Sequence, residues 1–484
     1  MNHMAQPIPE QVQAHIPLFE PFVLAAIPAD PVRVKPGRRG RPQSLSWAHL
    51  WFRLIFGVLG GMHSYQDLSR DVVEQPLGPF PVVKITDEGI IKRLKQAGLA
   101  PLQELLARLS DTLGRLLTTQ CPCTLAAWAS GIYALDESTW DAIKRHLPAL
   151  RTLPNGDVGL QPGKMAARFN LRTQLWDFVQ FRDNPLGNCK LDICSLLEGL
   201  PIDALLLFDL GYFSFAFLDY LSDYRYWFIS RIREDVHYQI AHTFYRHQGT
   251  LDALVWLGAV GRNSSRCGRL VRLVRFWDGK QIRTYLTNQL DPTLLPLPDI
   301  ARLYARRWDI ELAFLTLKEH LDLHHWWSGS VVLRQQQALV VLIVAQLLNA
   351  TRLLIAAEQG CDPFDVSLPL LLKYVPKMII KRQHPVIWAK IHGHDLGFFR
   401  PSSRYQVIVP DPPLCDYISP PPDLRFTRLG HYREYEARPR RNPFNRKTSA
   451  QTAQTAQTSR APSSVKQLSL FSLPILRRLK EVHK

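Results

Sequence analysis

The chain has 484 residues, 46% of them hydrophobic and 21% charged, which is ordinary for a globular protein and excludes fibrous, collagen-like and wholly disordered classes. Its 59 Lys and Arg against 42 Asp and Glu give a net charge of +17, which favours a polyanionic partner, nucleic acid before an anionic membrane. Seven Cys without paired spacing predict reduced thiols in a cytoplasmic protein rather than a disulfide framework.

The sequence predicts no association with a membrane. Residues 1–10 have neither the basic start nor the apolar run of a secretory signal. The longest apolar stretch, 338–348, is shorter than the roughly 20 residues that span a bilayer, so it predicts a buried core helix. Nucleic acid therefore remains the favoured polyanion.

The N-terminal part of the chain is predicted to be helical after a flexible start. Residues 1–31 are rich in Pro and Ala and are expected to be flexible, and residues 32–125 predict a helical DNA-binding domain with a basic arm. Ser64 and Thr86 indicate helix N-caps, and Gly98 indicates the end of the helix that Thr86 begins. A helix-turn-helix is compatible with this pattern, although any helical hairpin would give it.

The basic arm contains Arg38, Arg39 and Arg41 in the run Gly-Arg-Arg-Gly-Arg-Pro. Its Arg-Gly-Arg-Pro resembles the core of an AT-hook, a peptide narrow enough for the DNA minor groove, where Arg meets a high negative potential. A generic phosphate-binding arm is the alternative. Both interpretations make these arginines DNA-binding residues.

Residues 126–224 predict the first part of an α/β catalytic domain with a mixed sheet. Two short apolar strands in this segment are each predicted to end on a carboxylate, the first on Asp136 and the other on Asp209. A sheet presents side chains at its strand ends to a cleft, so both are candidates for chemistry. Either acid alone would be a turn residue more often than a catalytic one.

The next segment, 225–295, is β-rich and basic and predicts an inserted subdomain. Residues 225–290 contain eleven Lys and Arg against four acids, which suits a surface that follows a phosphate backbone. The Asp-Gly pair that follows Trp277 indicates a hairpin turn.

Residues 296–375 predict the second part of the catalytic domain. One helix is expected from Pro298 to about Leu321, and an apolar helix follows at about 333–357. Beyond it, the sequence predicts a Pro-rich region at 376–447 and, at 448–484, a disordered basic tail with an Ala-Gln-Thr repeat.

Four polar residues of the first of these helices share one face. At 100° per residue, Tyr304, Arg307, Glu311 and Lys318 fall within about 60° of arc, directly beside the apolar stripe of the helix. An exposed salt-bridged face would lie opposite the core instead. The face is therefore expected at the rim of a packed interface, where it can serve a site.

These four residues carry a resemblance to a known family. Tyr304-x2-Arg307-x3-Glu311-x6-Lys318 is similar to the Y-x2-R-x3-E-x6-K signature of DDE transposases of the insertion-sequence-four type. The resemblance covers about residues 30–360. It implies an α/β fold, an RNase H-like mixed-sheet catalytic domain with an inserted β-rich subdomain and an N-terminal helical domain.

The chain differs from the family's usual sequence directly after both aspartates. Leu210 stands where the family often has Arg after the second Asp, and Glu137 follows the first Asp where the family often has Gly or Ser. Glu137 is thus a rival to Asp136 as a metal ligand. Strand alternation points the two side chains to opposite faces, which favours Asp136.

The chemistry of phosphodiester cleavage and strand transfer fits three carboxylates. Two divalent ions, Mg²⁺ or Mn²⁺, would activate the nucleophile and stabilise the leaving oxygen, with Asp136, Asp209 and Glu311 as ligands and catalytic residues. The resemblance implies that Tyr304, Arg307 and Lys318 hold DNA phosphates at the element's end.

Two further contacts with macromolecules are predicted. Trp277, with Trp256 as the second candidate, would stack a flipped base, as transposases of this type do, although hairpin packing is the more frequent role of such a Trp. In the tail, Gln467, Leu468, Leu470 and Phe471 resemble the pentapeptide with which bacterial proteins bind the DNA polymerase sliding clamp. A short helix that packs on the body is the alternative for this peptide.

The sequence thus predicts a prokaryotic insertion-sequence transposase that cleaves and rejoins double-stranded DNA at terminal inverted repeats, by cut-and-paste, as a homodimer on DNA. The alternatives are an RNase H-like DNA nuclease without strand transfer and a catalytically silent, transposase-derived DNA-binding protein. Loss of one acid would mark the last of these, and none of the three acids is lost.

Overall fold

The computed structural model describes residues 19–28, 45–140, 163–182, 189–258, 266–323, 325–381, 383–401 and 408–424. Helices on both faces of one mixed sheet make up this part of the chain, which bears out the α/β prediction.

Five helices of the described residues precede the sheet, and serine, threonine and glycine bound several of them. Ser64 Oγ accepts a hydrogen bond from Asp67 N at 3.1 Å, and Thr86 Oγ1 accepts one from Gly89 N at 3.2 Å. Gly98 ends its helix with φ of 68°, so these three predicted boundaries are confirmed. The helices are α1 (Glu20–Ala26), α2 (Trp47–Leu59), α3 (Tyr65–Glu74), α4 (Asp87–Ala97) and α5 (Ala100–Gln120).

One expectation for this region is corrected, and the possible helix-turn-helix is not formed by α3 and α4. Residues 1–31 are not flexible throughout, because α1 buries Phe19, Val23 and Ala26, which recur at helical spacing and pack in the core with α2 and α5. The helices α3 and α4 contact each other but are joined by residues 75–86. That connection exceeds the three or so residues of a helix-turn-helix turn.

Nine strands of the described residues form a single sheet, in the order β3-β2-β1-β4-β5-β9-β8-β7-β6. The pairs β1–β4 and β4–β5 are parallel, and every other pair is antiparallel. The strands are β1 (Ile132–Trp140), β2 (Gly163–Asn170), β3 (Leu175–Arg182), β4 (Leu205–Phe208), β5 (Trp227–Arg231), β6 (Tyr238–His247), β7 (Thr250–Leu257), β8 (Val271–Trp277) and β9 (Ile282–Thr287).

The β-rich segment that was predicted as an inserted subdomain continues this same sheet. Its last strand, β9, pairs with β5 through Ile229–Thr287, Ser230–Leu286 and Arg231–Tyr285. Backbone hydrogen bonds therefore join the segment to the strands that precede it. The prediction of β structure is right, but a separate sheet is not formed.

Each face of the sheet buries its own core. Along β1, Ile132 and Ala134 face one core, whereas Tyr133 and Leu135 face the other. The second core is covered by α6 (Ile193–Leu197) and α7 (Phe215–Asp223). The first and larger core is covered by α1 to α5 and by the helices that follow β9.

Those later helices begin with a nearly continuous run. It consists of α8 (Leu297–Arg306), α9 (Trp308–Leu315) and a π-helical turn at Thr316–His320, in place of the single regular helix expected from Pro298. The helices α10 (Val331–Gln359), α11 (Leu368–Ile380) and α12 (Pro385–His392) follow. The helix predicted at 333–357 is confirmed as α10.

Order does not end at Pro376. This Pro lies inside α11, and α12 begins with Pro385 in its first turn, where a missing N–H is tolerated. Residues 408–424 are also described, and Ile418 N donates a hydrogen bond to Phe244 O on β6. Pro residues therefore lie inside or at the start of helices in this region rather than exclude them.

One helix of the described residues, α10, is long and apolar enough by composition to cross a membrane. In its most apolar window, 94% of the residues are buried within the protein. It occupies the centre of the larger core, in agreement with the predicted core helix.

Candidate active site

The parallel strands bring two of the predicted carboxylates to neighbouring positions. Leu135 pairs with Phe208, and Phe208 pairs with Ser230. Asp136 and Asp209 each stand one residue beyond these paired positions, at one level of β1 and β4. The register thus aligns residues that lie far apart in the sequence.

Asp136 lies within a strand rather than at its end. β1 continues to Trp140, because residues 136–140 pair with β2 down to the Trp140–Gly163 pair. By alternation with Leu135, the Asp136 side chain lies on the face of the larger core, where α9 contacts β1. One of its oxygens accepts a hydrogen bond from the Glu137 backbone N–H at 2.8 Å.

Glu137 faces the other side of the sheet, as strand alternation predicted. Its Oε2 lies 2.7 Å from Nζ of Lys164, a side chain that is only 1% exposed. A buried ammonium needs such a counter-charge. Glu137 is therefore committed to an ion pair away from Asp136.

Glu311 reaches the candidate site from α9. Ile310 and Phe314 bury the neighbouring positions of the helix against the core, which leaves Glu311 at its rim, as the helical-face prediction required. Arg307, just before α9, connects this carboxylate with the sheet. Its Nη2 lies 2.7 Å from Glu311 Oε1, and its Nη1 lies 3.5 Å from Asp136 Oδ2.

The other two carboxylates act electrostatically on Asp136. The pKa of Asp136 is raised to about 6, mainly by burial and in smaller part by the charges of Glu311 and Asp209, against the lowering effects of the Glu137 N–H and Arg307. Burial works to lower the pKa of Arg307, but Tyr304, Glu311 and Asp136 hold it above its usual value. The guanidinium therefore remains charged, whereas Asp136 takes up a proton more readily than an exposed Asp.

Tyr304 lies beside Arg307 and is buried. Its ring centroid is 4.9 Å from that of Tyr285 on β9, and the guanidinium carbon of Arg307 is 5.8 Å from the Tyr304 ring. Burial raises the pKa of Tyr304, so its hydroxyl keeps its proton. Tyr304 Oη and Arg307 Nε are both buried without a hydrogen-bond partner among the described residues, which leaves two donors for an incoming acceptor.

Two other predicted residues lie on neighbouring elements. Lys318 is half-buried in the π-helical turn that follows α9. Trp277 is 56% exposed and pairs with Ile282 at the tip of the β8–β9 hairpin. Because β9 runs antiparallel to β5 and pairs Tyr285 with Arg231, this tip projects beyond the edge of the sheet at which the carboxylates lie.

Trp256, the second candidate for base stacking, lies apart from Trp277. The pairs Leu251–Arg275 and Val255–Val271 place the two tryptophans towards opposite ends of β7 and β8. Trp256 contacts Arg266 instead, whose guanidinium carbon is 5.4 Å from its ring. The predictions for Arg38, Arg39 and Arg41 and for Gln467, Leu468, Leu470 and Phe471 lie outside the described residues.

The sequence analysis missed Arg231. This exposed residue ends β5 one position after Ser230, at the level of Asp209, and its charge acts on the Tyr304 hydroxyl. It has no ion-pair partner among the residues that the structure describes. One feature of the sequence could have identified Arg231. It is a basic residue at the end of a predicted strand, and the preceding strand ends on Asp209.

The described residues include side chains of the types that bind divalent ions, but these side chains are not arranged as a complete metal site. Within the described ranges, no three His, Cys, Asp or Glu side chains are placed so that they could hold a metal ion. Arg307 forms ion pairs with two of the three candidate ligands, Asp136 and Glu311.

Comparison with known families gives one match. Residues 192–347 match the family model of the transposase DDE domain. This match supports a DDE transposase. The matched range includes Asp209, Tyr304, Arg307, Glu311 and Lys318, and it begins after Asp136. No curated protein matches the chain.

Among solved structures, the chain is similar to the cryo-EM structure of piggyBac transposase in a synaptic complex with hairpin DNA. The sequence identity is 9%, the TM-score is 0.37, and the similarity covers 80% of this chain and 82% of the other. A TM-score this low does not establish a shared fold.

Proposed function

We propose that this protein is a DNA transposase that cleaves and rejoins DNA at the terminal inverted repeats of its insertion sequence, by cut-and-paste. The observation that carries the proposal is the meeting of Asp136 and Glu311 at Arg307, with the charge of Asp209 acting on Asp136. Three acids that are far apart in sequence thus share one region, and the match to the transposase DDE domain includes two of them.

We propose an RNase H-like arrangement for the half of the sheet that carries the aspartates. Support comes from its mixed order, β3-β2-β1-β4-β5, in which two antiparallel pairs are followed by two parallel pairs. The insertion-sequence-four assignment rests on the spacing of Tyr304, Arg307, Glu311 and Lys318.

Asp136, Asp209 and Glu311 would hold two Mg²⁺ or Mn²⁺ ions. Carboxylate oxygens are the ligands that these ions prefer, and the raised pKa of Asp136 comes mainly from burial and in smaller part from the negative charges of Glu311 and Asp209, which a cation would offset. When bound, such ions activate the attacking oxygen and stabilise the leaving oxygen. Asp136 must be ionised to serve as a ligand.

The remaining residues would bind and orient the DNA. Arg307 can bind a phosphate with two parallel hydrogen bonds, Tyr304 can donate from its unpartnered hydroxyl, and Lys318 adds a point charge. The exposed Trp277 at its hairpin tip is suited to stack an unpaired base. The basic residues Arg38, Arg39 and Arg41 would add contacts to the backbone or minor groove.

Cut-and-paste requires that both ends of the element be held together, so the proposed active form is a homodimer on DNA. The proposed location is the bacterial cytoplasm, at the nucleoid. The peptide Gln467, Leu468, Leu470 and Phe471 would bind the sliding clamp and so direct the protein to replicating DNA. An affinity of about micromolar is expected for so short a segment.

The reaction products distinguish the proposed transposase from two alternative functions. A nuclease on the same fold would cleave the ends without joining them to a target. A silent DNA-binding protein would bind ends and do neither, and the presence of all three acids argues against it.

The decisive test uses Asp209→Asn with Asp203→Asn as its matched control. Asp203 stands at the opposite end of β4 and forms an ion pair with Arg225 at the surface. We expect D209N to abolish metal-dependent cleavage and joining of end DNA and to leave DNA binding nearly unchanged, while D203N keeps both. Full cleavage by D209N would refute the assignment, and cleavage without joined products in the wild type would favour the nuclease.

A further inference from the structure

The ion pairs of Arg307 bear on how metal and DNA binding depend on each other. Arg307 is 8% exposed, and its guanidinium approaches Glu311 at 2.7 Å and Asp136 at 3.5 Å. We propose that Arg307 is a displaceable counter-ion that occupies the metal-binding carboxylates in the free protein, so that divalent metal and DNA phosphate bind cooperatively. The inference rests on the proposed function, because it takes these acids as the metal ligands.

Arg307 offsets the mutual repulsion of the carboxylates in the free protein. The charges of Glu311 and Asp209 both act on Asp136, and that side chain is largely removed from water. The nearby guanidinium neutralises part of this charge, which reduces the cost of keeping the acids together. The same position makes Arg307 a competitor, since a divalent cation on Asp136 and Glu311 would meet a like charge at short range.

The surroundings of Arg307 suit a phosphate as an alternative binding partner for its guanidinium. Its Nε and the neighbouring Tyr304 Oη are both buried donors without a hydrogen-bond partner among the described residues. A phosphate oxygen is an acceptor that both could bind, and the exposed cation Arg231 acts on the same hydroxyl. A phosphate at this place would draw the guanidinium away from the two carboxylates.

Thermodynamic linkage then makes the effect reciprocal. A phosphate that engages Arg307 frees Asp136 and Glu311, so DNA should tighten metal binding, and metal should tighten DNA binding by the same factor. Couplings between two sites in proteins usually amount to roughly 5- to 150-fold in affinity. The free protein would thereby keep its metal affinity low until DNA is in place.

The experiment measures the affinity of the full-length protein for Mn²⁺ by paramagnetic resonance of the free ion, with and without a short blunt-ended duplex. We expect the duplex to tighten Mn²⁺ binding of the wild type by about tenfold or more. We expect Arg307→Gln to bind Mn²⁺ about tenfold more tightly than the wild type without DNA, and to gain little when DNA is added. Arg307→Lys, which retains one charge but cannot join both carboxylates, should lie between them and serves if R307Q does not fold.

A control separates the ion pairs from a general effect of charge. Arg302→Gln removes an exposed cation from α8, whose ion pair with Asp299 lies at the surface. This variant should bind Mn²⁺ without DNA as the wild type does.

Equal Mn²⁺ affinity of R307Q, R307K and the wild type without DNA would overturn the inference, as would an equal gain in R302Q. The proposed function would survive either result, because D209N tests it independently. A wild type that binds no Mn²⁺ even with DNA present would overturn both.

Discussion

Arg307 and His49 are both buried beside a charged group, and their surroundings set opposite charge states. Carboxylates help to keep Arg307 cationic, whereas burial and, to a smaller extent, Arg53 keep His49 neutral. His49 Nε2 accepts a hydrogen bond from Arg53 Nε at 3.1 Å, and its ring stacks on Phe80 at 4.7 Å between centroids. Burial and Arg53 lower the pKa of His49 to about 4, against Asp71.

This environment predicts a dependence of stability on pH. The pKa of His49 is lower in the folded than in the unfolded protein. Its contribution to the free energy of unfolding is therefore complete above about pH 6.5 and is lost as the pH falls to about 4. The loss amounts to at most about 3 kcal/mol. Denaturant unfolding of the wild type and of His49→Gln, which keeps an acceptor but does not titrate, should show a smaller decrease in the variant.

His384 provides an internal comparison for this measurement. Burial lowers the pKa of His384 to about 4 as well, and its Nδ1 accepts from Val386 N at 3.0 Å as the cap of α12. The H49Q variant should therefore retain a part of the pH dependence. A profile identical to that of the wild type would show that His49 is not neutral in the folded protein.

At the scale of elements, side chains join helices to strands at places that periodicity does not reveal. Gln346 on α10 is fully buried, and its amide binds both backbone groups of Trp176, on the edge strand β3. Oε1 accepts from Trp176 N at 2.9 Å, and Nε2 donates to Trp176 O at 2.9 Å and to Ser110 Oγ at 2.7 Å. One amide thus satisfies a strand edge that would otherwise be unpaired.

Gln346→Leu should therefore be costly although it makes α10 more apolar. The substitution leaves the N–H and C=O of Trp176 buried without partners, and we expect a loss of about 2–4 kcal/mol in the free energy of unfolding. Gln335→Leu, at a half-buried position of the same helix, is the control and should change stability little. A loss of the same size in both variants would contradict this role of Gln346.

The helical run that carries Glu311 shows how far spacing alone is informative. The faces of Tyr304, Arg307 and Glu311 follow from helical spacing, and the structure places them together. Lys318 lies in the π-helical turn, which has more residues per turn than an α-helix, so the spacing does not fix its face. The sequence gives no signal of that turn.

At the scale of the whole molecule, basic charge is concentrated at the C-terminal end. Residues 425–484 contain fourteen Lys and Arg against three acids. If this segment contributes to DNA binding, its cations act by releasing counter-ions from phosphates, which makes the affinity depend on salt concentration.

Deletion of residues 425–484 should accordingly weaken DNA binding and flatten its salt dependence. Each phosphate contact that is lost should reduce the slope of log affinity against log salt by about 0.9. Deletion of only 448–458, which has no charged residue, is the matched control and should leave the slope unchanged. An unchanged slope after the larger deletion would show that the segment does not contact phosphates.

The sequence by itself determined the α/β class, the caps at Ser64 and Thr86 and the core helix α10, because each depends on local periodicity or on hydrogen bonds within one turn. It also pointed to Asp136, Asp209 and Glu311 as a set. The class, the caps and the helix need only residues that are near each other in the chain, whereas the set of acids also rests on the family resemblance carried by the spacing of Tyr304, Arg307, Glu311 and Lys318.

Only the tertiary structure decided what these residues contact. Strand register brought Arg231 level with Asp209 and extended the sheet through β9, and packing of α9 on β1 set Arg307 between Asp136 and Glu311. Such contacts join residues that are distant in the chain, and their geometry depends on the packing of whole elements. The local sequence pattern contains no information about that packing. The position of Arg307 between Asp136 and Glu311 could therefore not be predicted from the spacing of residues in the sequence.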